Sequence, residues 1–141
     1  MIIVDTNIAS ELLADEPSTQ VIAWLDRTDP EQLWTTAVTV FEIKGGIDKK
    51  PKGRRKRALL AAFDQLLIHD FQNRVLPFDL SAALHAARIE ADRRQRGRPA
   101  GFGDTQIAGI AASRGAAIAT RNVRHFEDLA VAVINPWDAV A

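Results

Sequence analysis

The chain opens on Met1-Ile2-Ile3-Val4-Asp5-Thr6-Asn7, an apolar run cut short by a carboxylate. Glu42 is set in the apolar stretch Val38-Thr39-Val40-Phe41-Glu42-Ile43, and Asp104 follows Gly103 ahead of Thr105-Gln106-Ile107-Ala108. Asn122 closes Ala119-Thr120-Arg121-Asn122. Acids that converge without a cation repel and raise one another's pKa. A hard divalent ion removes that cost, and oxygen-only donors suit Mg²⁺ or Mn²⁺ rather than Zn²⁺. Such an ion activates water and offsets charge on a phosphoryl group. Each acid also has a plainer use. Asp5 and Asp104 both stand where a helix N-cap would. Glu42 either lies on a narrow polar face or meets a cation, because an unpaired buried carboxylate is costly.

The elements that must position these groups follow from the apolar spacing. Ile2, Ile3 and Val4 read as a strand buried on both faces, as in a parallel sheet, and Ile8 and Leu12 then have helical spacing. Asp5 therefore sits at the carboxyl end of a strand, where open α/β sheets bind ligands. Val21, Ile22 and Leu25 form a helical stripe that Asp29-Pro30 ends. Residues 32–37 read as a second strand and 36–50 as a helix capped by Thr39. Residues 49–57, which contain Pro51 and Gly53, read as a linker or a frayed turn between helices, and Leu59, Leu60, Phe63, Leu66 and Leu67 then mark an amphipathic helix. Residues 74–79 are a short strand that Pro77 confines to a sheet edge or a strand end. A helix over 81–96 is expected to present Leu84, Ala87 and Ala91 on one face. Asp104 starts the next helix and Gly115 ends it. Strands at 116–120 and 131–134 close the chain, with a short helical turn at 123–126 between them. Short apolar runs alternating with helices predict one α/β domain over residues 1–141, with a mostly parallel central sheet flanked by helices in three layers, α/β/α.

Composition narrows the class further. The chain has 141 residues, 47% hydrophobic and 26% charged, which suits one globular domain with a proper core. It has no cysteine, which excludes disulfides and thiolate metal sites. No apolar run approaches a membrane span, and Asp5 interrupts any signal-peptide pattern, so a cytoplasmic location is expected. Net charge is zero, yet seven of the eighteen basic residues fall within 49–57, and Arg93, Arg94, Arg96 and Arg98 form a second block. The blocks read either as a polyanion-facing surface or as solvated helix ends and loops. His69, His85 and His125 are scattered, and no Ser–His or Cys–His pair stands out.

Ile-Val-Asp-Thr-Asn at the start, Thr-Val-Phe-Glu-Ile with Gly45-Gly46, Gly-Asp-Thr-Gln-Ile-Ala, and Ala-Thr-Arg-Asn-Val-Arg-His-Phe occur in that order. With these motifs and the closing Val131-Ala132-Val133-Ile134-Asn135-Pro136-Trp137, the whole chain resembles a PIN domain. Within that family it is similar to the VapC- and FitB-like toxins of bacterial toxin–antitoxin pairs. The resemblance implies a Mg²⁺-dependent ribonuclease. Asp5, Glu42 and Asp104 match the family's acidic, metal-binding positions, and Asn122 occupies the place of a fourth acid. Members with Asn there often carry Asp three residues later, where this chain has His125. That departure lowers the charge of the pocket and bears on a second metal, not on the first. By the resemblance, Asp5 and Asp104 hold Mg²⁺ (or Mn²⁺), directly or through water, while Glu42 orients or deprotonates the attacking water. Thr6, Asn7 and Thr120 orient water or serve only as caps and strand-end partners. Residues 49–57 and 93–98 steer the RNA, with Arg121 and Arg124 as alternative phosphate contacts. The resemblance also implies a small DNA-binding antitoxin whose tail fills apolar grooves, a homodimer, and a higher assembly with the antitoxin. The alternative, motivated by Asn122 and His125, is a catalytically weakened PIN domain that binds RNA or protein. A phosphoacceptor receiver domain fits poorly, because Asp5 has no acidic neighbour and no lysine follows Lys56.

Overall fold

Ile3 and Val4 are both fully buried, and alternation along a strand sends them to opposite faces of the sheet. Such a strand must lie in the middle, and the computed structural model, which describes residues 1–138, puts it there. The five strands among the described residues are β1 (Ile2–Val4), β2 (Leu33–Thr36), β3 (Val75–Leu76), β4 (Ala117–Ala119) and β5 (Val133–Ile134). Their order is β3-β2-β1-β4-β5, and every neighbouring pair is parallel. Pro77 follows the edge strand β3, where its missing N–H interrupts no ladder. The chain winds outward from β1 to β3 and then returns to β4 on the other side of β1. The gap between the ends of β1 and β4 is thus the topological switch point, the favoured ligand position of an open α/β sheet.

Among the described residues six α-helices cover the sheet: α1 (Thr6–Leu12), α2 (Thr19–Arg27), α3 (Ala37–Asp48), α4 (Arg54–Gln65), α5 (Leu80–Gln95) and α6 (Phe102–Arg114). One core gathers Val4, Ile8, Val21, Trp24, Ile43, Phe63 and Phe71 from β1 to α4 and the turn after it. The other gathers Ile3, Leu76, Ala82, Ile107, Ile110, Ile118 and Phe126, with α5 and α6 over the opposite face. The three-layer α/β domain matches the expectation. Its expected end at residue 141 lies outside the described residues.

Four local readings change. The cap of α3 is Thr36, whose Oγ1 accepts from the Thr39 backbone N–H at 3.1 Å, so Thr39 is the capped residue, not the cap. Helix α4 starts at Arg54, so Arg54, Arg55, Lys56 and Arg57 are helical rather than linker. Helix α6 starts at Phe102 with Gly101 before it, which places Asp104 inside the first turn and not at the cap. Helix α5 buries Ala82, Ala86 and Arg93, whereas Leu84, Ala87 and Ala91 face outward. Gly109 explains that rotation: a Cβ there would stand 2.5 Å from the Ala82 carbonyl oxygen and 2.6 Å from the Ala86 Cβ. The two helices pack backbone to backbone through small residues, a contact no Leu84 face could make.

Candidate active site

Asp5 is buried to 1% exposure at the switch point. Its Oδ1 accepts from the Ile8 backbone N–H at 3.1 Å and its Oδ2 accepts from the Thr120 hydroxyl at 2.5 Å. It does cap α1, yet the second oxygen is reached from the end of β4, a bond across 115 residues that a cap does not need. Burial pushes the Asp5 pKa up from 3.8 to about 6. The Thr120 hydroxyl and the Ile8 amide oppose the rise, and the negative charge of Asp104 adds to it. A buried acid facing a second acid across a cleft is the arrangement a hard cation relieves.

Glu42 lies on the exposed side of α3 and bears no burial cost. Its Oε1 accepts from the Thr6 hydroxyl at 2.8 Å. Thr6 Oγ1 is 3.1 Å from Thr39 Oγ1, and Thr36 donates to that same Thr39 hydroxyl at 3.3 Å. A chain of three threonines thus ties β2, α3 and α1 to one carboxylate. Across the cleft, a Cβ on Gly103 would stand 2.9 Å from Glu42 Oε2, so Glu42 rests on the first turn of α6 beside Asp104. That turn tolerates only a glycine without displacing the carboxylate.

Asp104 is engaged from the other side: its Oδ2 is 2.6 Å from His125 Nδ1. Asn122 presents its backbone N–H to Thr120 Oγ1 at 2.9 Å. The fold therefore brings Asp5, Thr120 and Asn122 to one strand edge, Asp104 to the first turn of α6, and Glu42, from the middle of α3, against that turn. Among the described residues, no three Asp, Glu or His side chains stand together as a ready ligand set. Two carboxylates with water and substrate oxygens completing the shell is the habit of Mg²⁺, which keeps several waters. The donor chemistry of Asp5 and Asp104 fits that ion.

The side of the cleft near His125 is fixed by a contact that the sequence does not announce. Arg93, with its side chain only 4% exposed, donates through Nε and Nη2 to the two Asp128 oxygens at 2.9 and 3.0 Å. Its Nη2 also donates to the His125 carbonyl. The Arg93 guanidinium holds the Asp128 carboxyl below its ordinary pKa. A faint signal does exist in the spacing Ala82, Ala86, Ile89, Arg93, which puts an arginine on the buried stripe of α5. Arg121, by contrast, lies 4.7 Å over the Trp137 ring, so that cation is already engaged.

Residues 2–132 match the family model described as the PIN domain. This chain belongs to the PIN-domain family. Across 138 residues it is 36% identical to the VapC ribonuclease Y4jK of Sinorhizobium fredii, covering 98% of this chain and 99% of that one. It is 35% identical over 137 residues to the toxin FitB of Neisseria gonorrhoeae, covering 97% and 99%. The solved structure of FitAB bound to an IR36 DNA fragment superposes with a TM-score of 0.90 at 34% identity, covering 100% of this chain and 99% of that one. Relatives of this PIN domain are thus named as VapC- and FitB-type toxins. Among the described residues no helix is long and apolar enough to cross a membrane.

Proposed function

We propose that this PIN domain is the toxin of a toxin–antitoxin pair and acts as a Mg²⁺-dependent endoribonuclease, hydrolysing phosphodiester bonds at the Asp5–Asp104 edge. The observation that carries the reading is Asp5 itself. A carboxyl held at the switch point by two elements, with its pKa raised to about 6 by burial, is a poor investment for a cap alone. Asp5 and Asp104 would hold Mg²⁺, with Mn²⁺ as a substitute and Glu42 at the margin of the set. When bound, the ion lowers the pKa of water and offsets charge on the phosphoryl oxygens. Glu42, exposed and oriented by Thr6, takes the proton of the attacking water. Thr120 keeps Asp5 aimed at the cleft. The Asn122 side chain offers neutral donors where a fourth acid would add repulsion.

A cognate antitoxin and a homodimer belong to the same proposal. An apolar groove of about 530 Å³, lined by Val38, Phe41, Phe78 and Phe102, opens beside Glu42 and Gly103. Phe41 and Phe102 are largely exposed along it, as a partner-covered surface would be. The test is digestion of total RNA with Mg²⁺ and with chelator, by wild type and by Asp5→Asn. Cleavage that needs both the ion and Asp5 is expected; equal cleavage by the two proteins would remove the catalytic assignment. A weakened PIN domain is the second reading, favoured by the His125 contact that occupies one Asp104 oxygen. RNA binding without Mg²⁺-dependent cleavage by wild type would establish it in place of the first.

A further inference from the structure

Next to the Asp104 carboxylate lies a second recess, of about 140 Å³, lined by Arg93, Arg96, Arg98, Arg124, His125 and Asp128. Asp128 is the one carboxylate in its lining, and Arg93 already neutralises it. Among the described residues, Arg96 and Arg98 make only long, solvent-exposed pairs, at 3.3 Å to Asp92 and 3.5 Å to Glu127. Among the described residues, Arg124 makes no hydrogen bond or ion pair. The recess is built rather than incidental. Arg93, buried in the helix interface, grips both Asp128 and the His125 carbonyl and so fixes the backbone that presents Arg124. His125 belongs to both places: its carbonyl is held at the recess and its Nδ1 touches Asp104.

We propose that this recess seats a phosphodiester of the RNA next to the one that is cut, and so sets the cleavage register. This rests on the nuclease reading above. An acidic pocket repels a polyphosphate strand, and a cationic notch sharing a residue with that pocket counters the repulsion where it is needed. Guanidinium groups in loose surface pairs exchange them readily for a phosphate, which they bind through two N–H donors at once. A volume several times the roughly 30 Å³ share of a water accommodates the group.

The experiment measures binding and cutting separately. An end-labelled single-stranded RNA is titrated by fluorescence anisotropy without divalent ions, over a range of KCl, and the same RNA is then cleaved with Mg²⁺. Arg124→Ala, on an exposed turn, should bind about tenfold more weakly. Its salt dependence should be shallower by about 0.7 in log–log slope for each phosphate that the variant no longer neutralises. Its KM should rise while kcat holds, Arg98→Ala should act in the same direction, and Arg124→Lys should restore the slope. Arg27→Ala, an exposed arginine on α2, serves as the reference for a generic charge loss. The proposal is overturned if Arg124→Ala and Arg98→Ala bind no more weakly than Arg27→Ala. It is equally overturned if poly-glutamate binds through Arg124 more tightly than RNA does. Wild type that cuts no RNA yet binds it through Arg124 would keep the notch and discard the nuclease.

Discussion

The two acids at the heart of the cleft are held in opposite ways. Asp5 is fixed by its own strand: it follows β1, its backbone N–H donates to Ala119 of β4, and both its oxygens are satisfied from buried partners. Asp104 sits in the first turn of α6, partly exposed, and its fixed partner is a histidine side chain on a short helical turn of the loop after β4. That loop is held in turn by one buried arginine. One side of the site is built into the sheet; the other is assembled from side chains. The first acid therefore carries the cost of burial, while the second is the adjustable one.

Breaking the assembled side is expected to have the largest effect. Arg93→Ala removes the cation from Asp128 and frees the His125 carbonyl, and should cost about 3–5 kcal/mol of stability, the scale for a broken buried pair. Chemical denaturation measures it, and a loss below about 1 kcal/mol would show that the loop is held by something else.

The built-in side should reveal itself through pH. Folded Asp5 has a pKa near 6 against 3.8 in its ordinary state, so between those values the native protein keeps a proton that the unfolded chain has released. Without divalent ions, stability should therefore fall as pH rises from about 4 through about 6, by up to about 3 kcal/mol. Asp5→Asn should flatten the slope, and Mg²⁺ should raise Tm more at pH above the transition than below it. Asp104→Asn should shift stability by less than about 0.5 kcal/mol, because that side chain is partly solvated. Equal pH slopes in wild type and Asp5→Asn would end the claim that Asp5 bears the burial cost.

The smallest effect tests where the two sides meet. Gly103→Ala drives a methyl into the Glu42 carboxylate, the free end of a flexible side chain, so stability should barely move. Turnover should drop about tenfold, roughly 1.4 kcal/mol in the barrier, if Glu42 must stay at that spot. Unchanged turnover would mean that Glu42 works from another position.

Much of the fold and part of the site are legible in the sequence. The run Ile2-Ile3-Val4 is apolar on both faces, which forces β1 to the centre, and Pro77 after Val75-Leu76 points to an edge. Asp5 at a strand end and Asp104 near a helix start follow from the same periodicities. The buried face of α5 escapes this reasoning because leucine outweighs alanine in any apolar count. Close packing on Gly109 rewards the smaller residue instead. Arg93 hides within a charged block, since charge runs are usually solvated and nothing in the local sequence names Asp128 as its partner. The threonine chain Thr36, Thr39, Thr6 passes for a set of caps, because hydroxyls that cap and hydroxyls that relay have the same local spacing.

The sequence by itself determined the layers, the parallel sheet and the acids at its edge, because each of these depends on the period of neighbouring residues along the chain. The tertiary structure alone decided which helix face is buried, which arginine is a strut and which stay exposed, and that His125 leans on Asp104. Those depend on distances between segments tens of residues apart, and such distances are set by how closely backbones can approach, not by any local pattern.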